Sequence, residues 1–143
     1  MRAADEGAAI AGLLYAAYNA HQTDAVARLY HDDATHEDVA HGRPKVGALA
    51  IAEGLGWFLR WFPDAAWHIH STIAGQREVA VSYTLSGTLS AAMGPVLPRG
   101  QRISLRGIQV LTIAKGKIQR SEDYWDAMTF QKQLNSNISE ERS

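Results

Sequence analysis

Two acidic side chains, one imidazole and one amide stand where strand-like spacing could direct them at a common substrate. In the stretch from Arg102 to Asp126, RISLRGIQVLTIAKGKIQRSEDYWD, the alternate residues Ile103, Leu105, Gly107, Gln109, Leu111 and Ile113 share one face of a strand. Gln109 is therefore the polar member of an otherwise apolar row, and a buried amide must find hydrogen-bond partners. Past a turn at Lys115-Gly116-Lys117, a second strand places Asp123 on one face with Ser121 and Trp125, and Glu122, Tyr124 and Asp126 on the other. Removing a proton next to a carbonyl needs a base near the carbon and a donor near the oxygen where charge develops. Asp123 can supply the base and Gln109 the donor if the two strands pair. The same residues also admit a structural assignment, with Asp123 solvated or tied to Arg120 or Arg106 and Gln109 a satisfied core amide. Asp126, on the opposite face, fits the cap of a following helix.

A second acid/base pair lies upstream. A short strand over residues 34–40 turns His36 and Asp38 to one face and Thr35, Glu37 and Val39 to the other. Two carboxylates in one pocket can divide acid and base roles between them. An edge-strand polar face is the other assignment open to this pair. His68-x-His70 has spacing compatible with a metal, but two ligands do not make a site, and His36 or Asp38 would have to converge on them. With no cysteine and no H-E-x-x-H word, no metal is expected.

These side chains need elements to hold them. Residues 4–20 carry Ile10, Leu13, Leu14, Ala17 and Tyr18 at the spacing of one helical face. Thr23 or Asp24 can cap a second, shorter helix with Val26, Leu29 and Tyr30 inward, closed by His31-Asp32-Asp33. After a turn at Gly42-Arg43-Pro44, a third helix is predicted from about Lys45 to Phe62, apolar on nearly every side, and Pro63-Asp64 stops it. Ala66–Ala74 reads as a strand with Trp67, Ile69, Ser71 and Ile73 against His68, His70 and Thr72. Val79–Ser90 reads as another, with Val79, Val81, Tyr83 and Leu85 on one face. A wide loop leads into the two strands described above, and a short helix, Ala127–Leu134, follows. The predicted class is α+β: one domain over residues 1–134, a cone-shaped, mostly antiparallel curved sheet wrapped around a pocket that the N-terminal helices close. The polar residues 135–143 are expected to fray.

Composition narrows the function classes. The chain has 143 residues, 46% of them hydrophobic and 20% charged, with a net charge of -1. That is an ordinary globular profile with no basic field for nucleic acid. No cysteine is present, which removes disulfides and thiolate chemistry. The amino end has neither a secretory pattern nor a membrane-spanning length, so no membrane partner is expected and the cytoplasm is the expected location.

The order of elements, together with YHDDATHED near residue 30, WFPD at 61–64, SGTL at 86–89 and GKIQRSEDYWD with FQKQL behind it, resembles the nuclear-transport-factor-2-like fold and, within it, the SnoaL-like polyketide cyclases. The resemblance covers about residues 8 to 134, and the first of these words is also similar to ketosteroid isomerase. It implies a cofactor-independent enzyme of secondary metabolism, such as antibiotic biosynthesis. Such an enzyme closes a ring in an apolar polyketide-type intermediate, with acid/base assistance and by an aldol-type reaction or a cycloaddition, or isomerises it, and a homodimer is implied with it. It places Asp123 at the cyclases' acid/base aspartate and Asp38 at the isomerase's proton-shuttling carboxylate. Gln109 falls at the position that bonds to the developing enolate oxygen, and His36 joins Asp38 in proton transfer. The isomerase's pocket tyrosine is replaced by Leu14, with Tyr15 and Tyr18 nearby, and the histidine that often follows Gly-Thr in the family is Leu89. Tyr15, Leu14, Trp57, Phe58, Trp67, Leu111 and Trp125 are the expected substrate wall. Because this fold hosts several chemistries, epoxide hydrolysis, cofactor-free hydroxylation and a non-catalytic dimeric binding module stand as alternatives.

Overall fold

The structure is a computed structural model that describes residues 2–136. Among the described residues ten elements follow one another: α1 (Ala3–Asn19), α2 (Thr23–Leu29), β1 (Tyr30–Asp38), β2 (Lys45–Val46), α3 (Ala48–Trp61), β3 (Ala66–Ala74), β4 (Glu78–Thr88), β5 (Arg102–Ala114), β6 (Lys117–Trp125) and α4 (Ala127–Leu134). The strands form one open sheet in the order β2-β1-β6-β5-β4-β3. Every neighbouring pair is antiparallel except β1 with β6, which run parallel. This is the expected α+β cone, with helices on the concave side of a mixed sheet.

The β5–β6 hairpin turns as the sequence requires. Lys115 and Gly116 both have positive φ, 51° and 80°, and Ala114 pairs with Lys117. A two-residue loop of that kind matches the twist of its flanking strands, and glycine takes the second position without strain. At the other end of β6, the Asp126 carboxylate accepts from the Met128 backbone N–H at 3.2 Å and from Thr129 Oγ1 at 2.6 Å, so it starts α4 as its chemistry suggests.

The core lies between α1 and the concave face of the sheet. Ile10, Leu14, Tyr15 and Tyr18 of α1 meet Val79, Val81, Tyr83 and Leu85 of β4 and Ile103, Leu105 and Leu111 of β5, all buried. Alternation along β4 and β5 is what makes this possible, because every second side chain points inward.

Several expectations are corrected. His31-Asp32-Asp33 does not close α2; β1 already starts at Tyr30, which pairs with Ile118 of β6, and the register shifts before Thr35. Neither Thr23 nor Asp24 caps α2, where Gln22 takes the cap position without a side-chain bond. Lys45 and Val46 form the edge strand β2 against β1, and α3 begins only at Ala48, after Gly47 at φ 100°. Along β3 a bulge between Ile69 and Ser71 breaks the alternation, so Ser71 and Ile73 pair with Ser82 and Ala80 on the outer face, and Ile73 is exposed. Parity counting cannot anticipate a bulge, which inserts one residue and reverses every side chain after it. Of the tail expected to fray, Asn135 and Ser136 are among the described residues, where Arg99 donates to the Ser136 carbonyl at 3.3 Å, and residues 137–143 lie outside them. No helix of the described residues is long and apolar enough to cross a membrane.

Candidate active site

Register alone assembles the site. The parallel pairing of β1 with β6 sets His36 beside Ser121 and Asp38 beside Asp123. The antiparallel pairing of β5 with β6 sets Gln109 opposite Asp123, and that of β4 with β5 sets Tyr83 opposite Gly107. The inward faces of four strands thus converge on Asp123.

Two hydrogen-bonded groups and one separate pair, Tyr83 with Asp123, result. In the first, the Tyr30 hydroxyl and Ser121 Oγ are 2.8 Å apart, and Ser121 Oγ lies 2.7 Å from His36 Nδ1. The other ring nitrogen of His36, Nε2, stands 3.5 Å from Asp38 Oδ1, which also accepts from the Trp125 indole at 3.3 Å. In the second, Tyr15 donates to Gln109 Oε1 at 2.8 Å and the Gln109 amide donates to the Tyr18 hydroxyl at 3.2 Å. Tyr83 donates to Asp123 Oδ1 at 2.5 Å.

The two carboxyl groups differ in proton affinity. Burial raises Asp123 most; the bond from Tyr83 and the charge of His36 work against that, the charge of Asp38 adds to it, and the balance is about 7. Burial also pushes Asp38 upward, but hydrogen bonds from His36 and Trp125 and the charges of His36 and Lys45 outweigh it and hold it below the usual range. Burial, reinforced by the Asp123 charge, raises Tyr15 and Tyr83 far above the ordinary phenol, so both stay protonated donors. The site therefore presents one fixed carboxylate beside one carboxyl poised to gain or lose a proton near neutrality.

The residues singled out from the sequence are distributed unevenly. Asp123, Asp38 and His36 come together. Gln109 faces Asp123 in register but is fully buried, with both ends of its amide engaged by tyrosine hydroxyls. Tyr15 and Trp125 join the polar groups, whereas Leu14 and Leu111 are fully buried in the core. Trp67 packs against Tyr18 and Phe58 at ring separations of 5.0 and 6.0 Å. Trp57 lies on the outside of α3 at 48% exposure, with the Arg60 guanidinium 4.4 Å from its ring. It is not gathered with the rest.

His68 and His70 are exposed on β3, at the opposite end of the sheet from β1, and His70 Nε2 bonds Thr84 Oγ1 at 2.6 Å. They cannot converge with His36 or Asp38. Among the described residues, the side chains that could offer atoms to a cation are instead His36, Asp38 and Asp123, whose ligand atoms lie within 4.8 Å of one another. A metal there would have to contract those separations and compete with the Tyr83 bond. Surface depressions of about 380 and 410 Å³ beside α1 and α2 are lined by residues such as His21, Ala17 and Arg28, and none of the candidate residues borders them.

Tyr83, Ser121 and Tyr30 are site residues that sequence reading did not single out. The available signal was a tyrosine in the apolar row of β4 and another at the start of β1, since a buried hydroxyl requires a partner.

A family model described as SnoaL-like polyketide cyclase matches residues 8–134. Solved structures share the fold. A candidate polyketide cyclase from Xanthomonas campestris pv. campestris is 20% identical, with a TM-score of 0.86 over 93% of this chain and 99% of that one. IdmH, a candidate polyketide cyclase from Streptomyces antibioticus, is 19% identical, with a TM-score of 0.78 over 91% and 99%. AclR, a candidate hydroxylase from Streptomyces galilaeus, is 22% identical, with a TM-score of 0.80 over 92% and 96%. No curated protein matches the chain in sequence.

Proposed function

The chain belongs to the SnoaL-like polyketide cyclase family, and from that premise we propose that it is a cofactor-independent cyclase or isomerase acting on an apolar polyketide-type intermediate. The observation that carries this reading is the pairing of Asp38 with Asp123 on adjacent strands, one carboxyl held ionised and the other raised to about 7. A base with a proton affinity near the working pH is the most effective kind.

In the ring-closing reaction, ionised Asp123 takes the proton from a carbon next to a carbonyl. The electron pair left behind forms an enolate, which attacks a second carbonyl carbon of the same molecule and makes the new carbon–carbon bond. The resulting alkoxide regains the proton from Asp123, which returns to its starting state, so no external oxidant or cofactor enters the balance. In an isomerisation the same proton is returned to a different carbon. The fixed charge of Asp38 raises the proton affinity of Asp123 and so makes it a stronger base. His36, held by Ser121 and Asp38, is the adjacent group for relaying protons. Gln109 acts indirectly in this reading, by fixing the Tyr15 and Tyr18 hydroxyls beside Asp123. The aromatic rings of Tyr15, Tyr83 and Trp125 around the carboxyl groups favour an apolar substrate, and holding its reacting carbons together contributes part of the rate.

The test is a metabolite comparison by mass spectrometry of the host with and without the gene. Accumulation of a compound with the same mass as the missing product fits cyclisation or isomerisation and supplies the substrate for assay. A difference of one oxygen atom or one water molecule replaces this reading with hydroxylation or epoxide hydrolysis. An unchanged profile replaces it with a binding role.

A further inference from the structure

We propose that Tyr83 is the positioning residue for Asp123, and that Gly107 is the slot in β5 through which it reaches that carboxyl group. Tyr83 on β4, Gly107 on β5 and Trp125 on β6 form one row across the sheet, while Asp123 lies in the next inward-facing row. To bond Asp123, the Tyr83 side chain must cross the whole width of β5 diagonally. It can do so only where β5 has no side chain. A Cβ added at Gly107 would overlap Tyr83 Oη, stand 2.5 Å from its Cζ and come within 3.1 Å of the Tyr124 carbonyl oxygen. Glycine inside a strand weakens it and marks a place where something approaches closely. At Gly107 that something is the Tyr83 ring.

The ring also packs against α1. Tyr83 is buried, and its ring centroid lies 6.1 Å from that of Tyr15. Its hydroxyl, kept protonated, occupies Oδ1 of Asp123. The carboxyl plane is thereby oriented, and Oδ2 is left as the oxygen for proton exchange. The arrangement stands on geometry alone; only its catalytic consequence rests on the reading of Asp123 as the reacting group.

The experiment follows the Asp123 carboxyl carbon by NMR as the full-length protein is titrated across neutral pH, without substrate. The native midpoint is expected at about 7. Tyr83→Phe keeps the ring and removes only the donor to the ionised form, so the midpoint should rise by about one pH unit. Gly107→Ala should move it in the same direction by expelling the ring, and the double variant should titrate like Tyr83→Phe alone, since both changes break one bond. An unchanged midpoint in Tyr83→Phe, or effects of the two substitutions that add, overturns the proposal. Tyr83→Phe decides the matter even if Gly107→Ala does not fold. The outcome is independent of the proposed reaction: turnover that survives Asp123→Asn would remove that reaction and leave the titration result standing.

Discussion

Asp38 and Asp123 are direct neighbours across the parallel β1–β6 pair, yet their surroundings drive their proton affinities in opposite directions. Asp38 has an imidazole, an indole and a nearby lysine to support its charge. Asp123 has a phenol donor but deeper burial and the Asp38 charge beside it.

If Asp123 is the general base, its replacement by asparagine removes proton transfer while keeping shape and an acceptor for Tyr83. Turnover of the identified substrate should fall by about two decades or more. On the same condition, kcat/KM of the native protein should rise with pH through a midpoint near 7 and then level off, because the ionised form would be the active one. A loss of less than about threefold in Asp123→Asn would assign the rate to substrate orientation instead.

The same substitution has an opposite effect on stability. Asp123 is raised from 3.8 to about 7 on folding, so its favourable contribution is complete below 3.8 and disappears as pH rises through about 7. Asparagine does not titrate. The stability of Asp123→Asn relative to the native protein should therefore grow between these two values and stay level above them. The total gain should be on the order of 2 to 4 kcal/mol, at about 1.4 kcal/mol per unit of pKa. Urea denaturation at a series of pH values measures it, and a pH-independent difference would contradict it.

Asp38→Asn should lower the proton affinity of Asp123, since the Asp38 charge is one of the causes that raise it. The midpoint of the kcat/KM profile should move to lower pH, the reverse of the direction expected for Tyr83→Phe. The Asp38 contribution to stability is present above 3.8 and is lost as pH falls through its depressed folded value, so the variant should be the less acid-sensitive protein. A profile that stays in place would separate Asp38 from the proton chemistry.

Leu13 and Leu14 are adjacent on α1, with exposures of 59% and 0%. Leu14→Ala should cost about 2 to 5 kcal/mol of stability through the cavity it leaves. Leu13→Ala should change stability by no more than about 0.5 kcal/mol. Equal effects would mean that α1 is rotated about its axis relative to the sheet. A large loss of substrate affinity in Leu14→Ala without loss of stability would return Leu14 to the substrate wall.

Whatever depends on a few consecutive residues was legible in the chain. Lys115-Gly116 specifies a tight hairpin, Asp126 specifies the start of α4, and the period of two in β5 and β6 turns Gln109, Ser121, Asp123 and Trp125 inward. The inward parity of His36 with Asp38 belongs to the same class, and so does α+β composition itself. What brings Asp38 to Asp123 is different in kind. β1 and β6 are separated by most of the chain, run parallel, and meet through backbone hydrogen bonds that carry no side-chain signature. The bulge in β3, the early start of β1 and the passage of Tyr83 over Gly107 are likewise properties of strand pairs. Local periodicity decides which way a side chain points; only the register between distant strands decides what it points at, and Asp123 draws its partner, its proton affinity and its proposed role from that register.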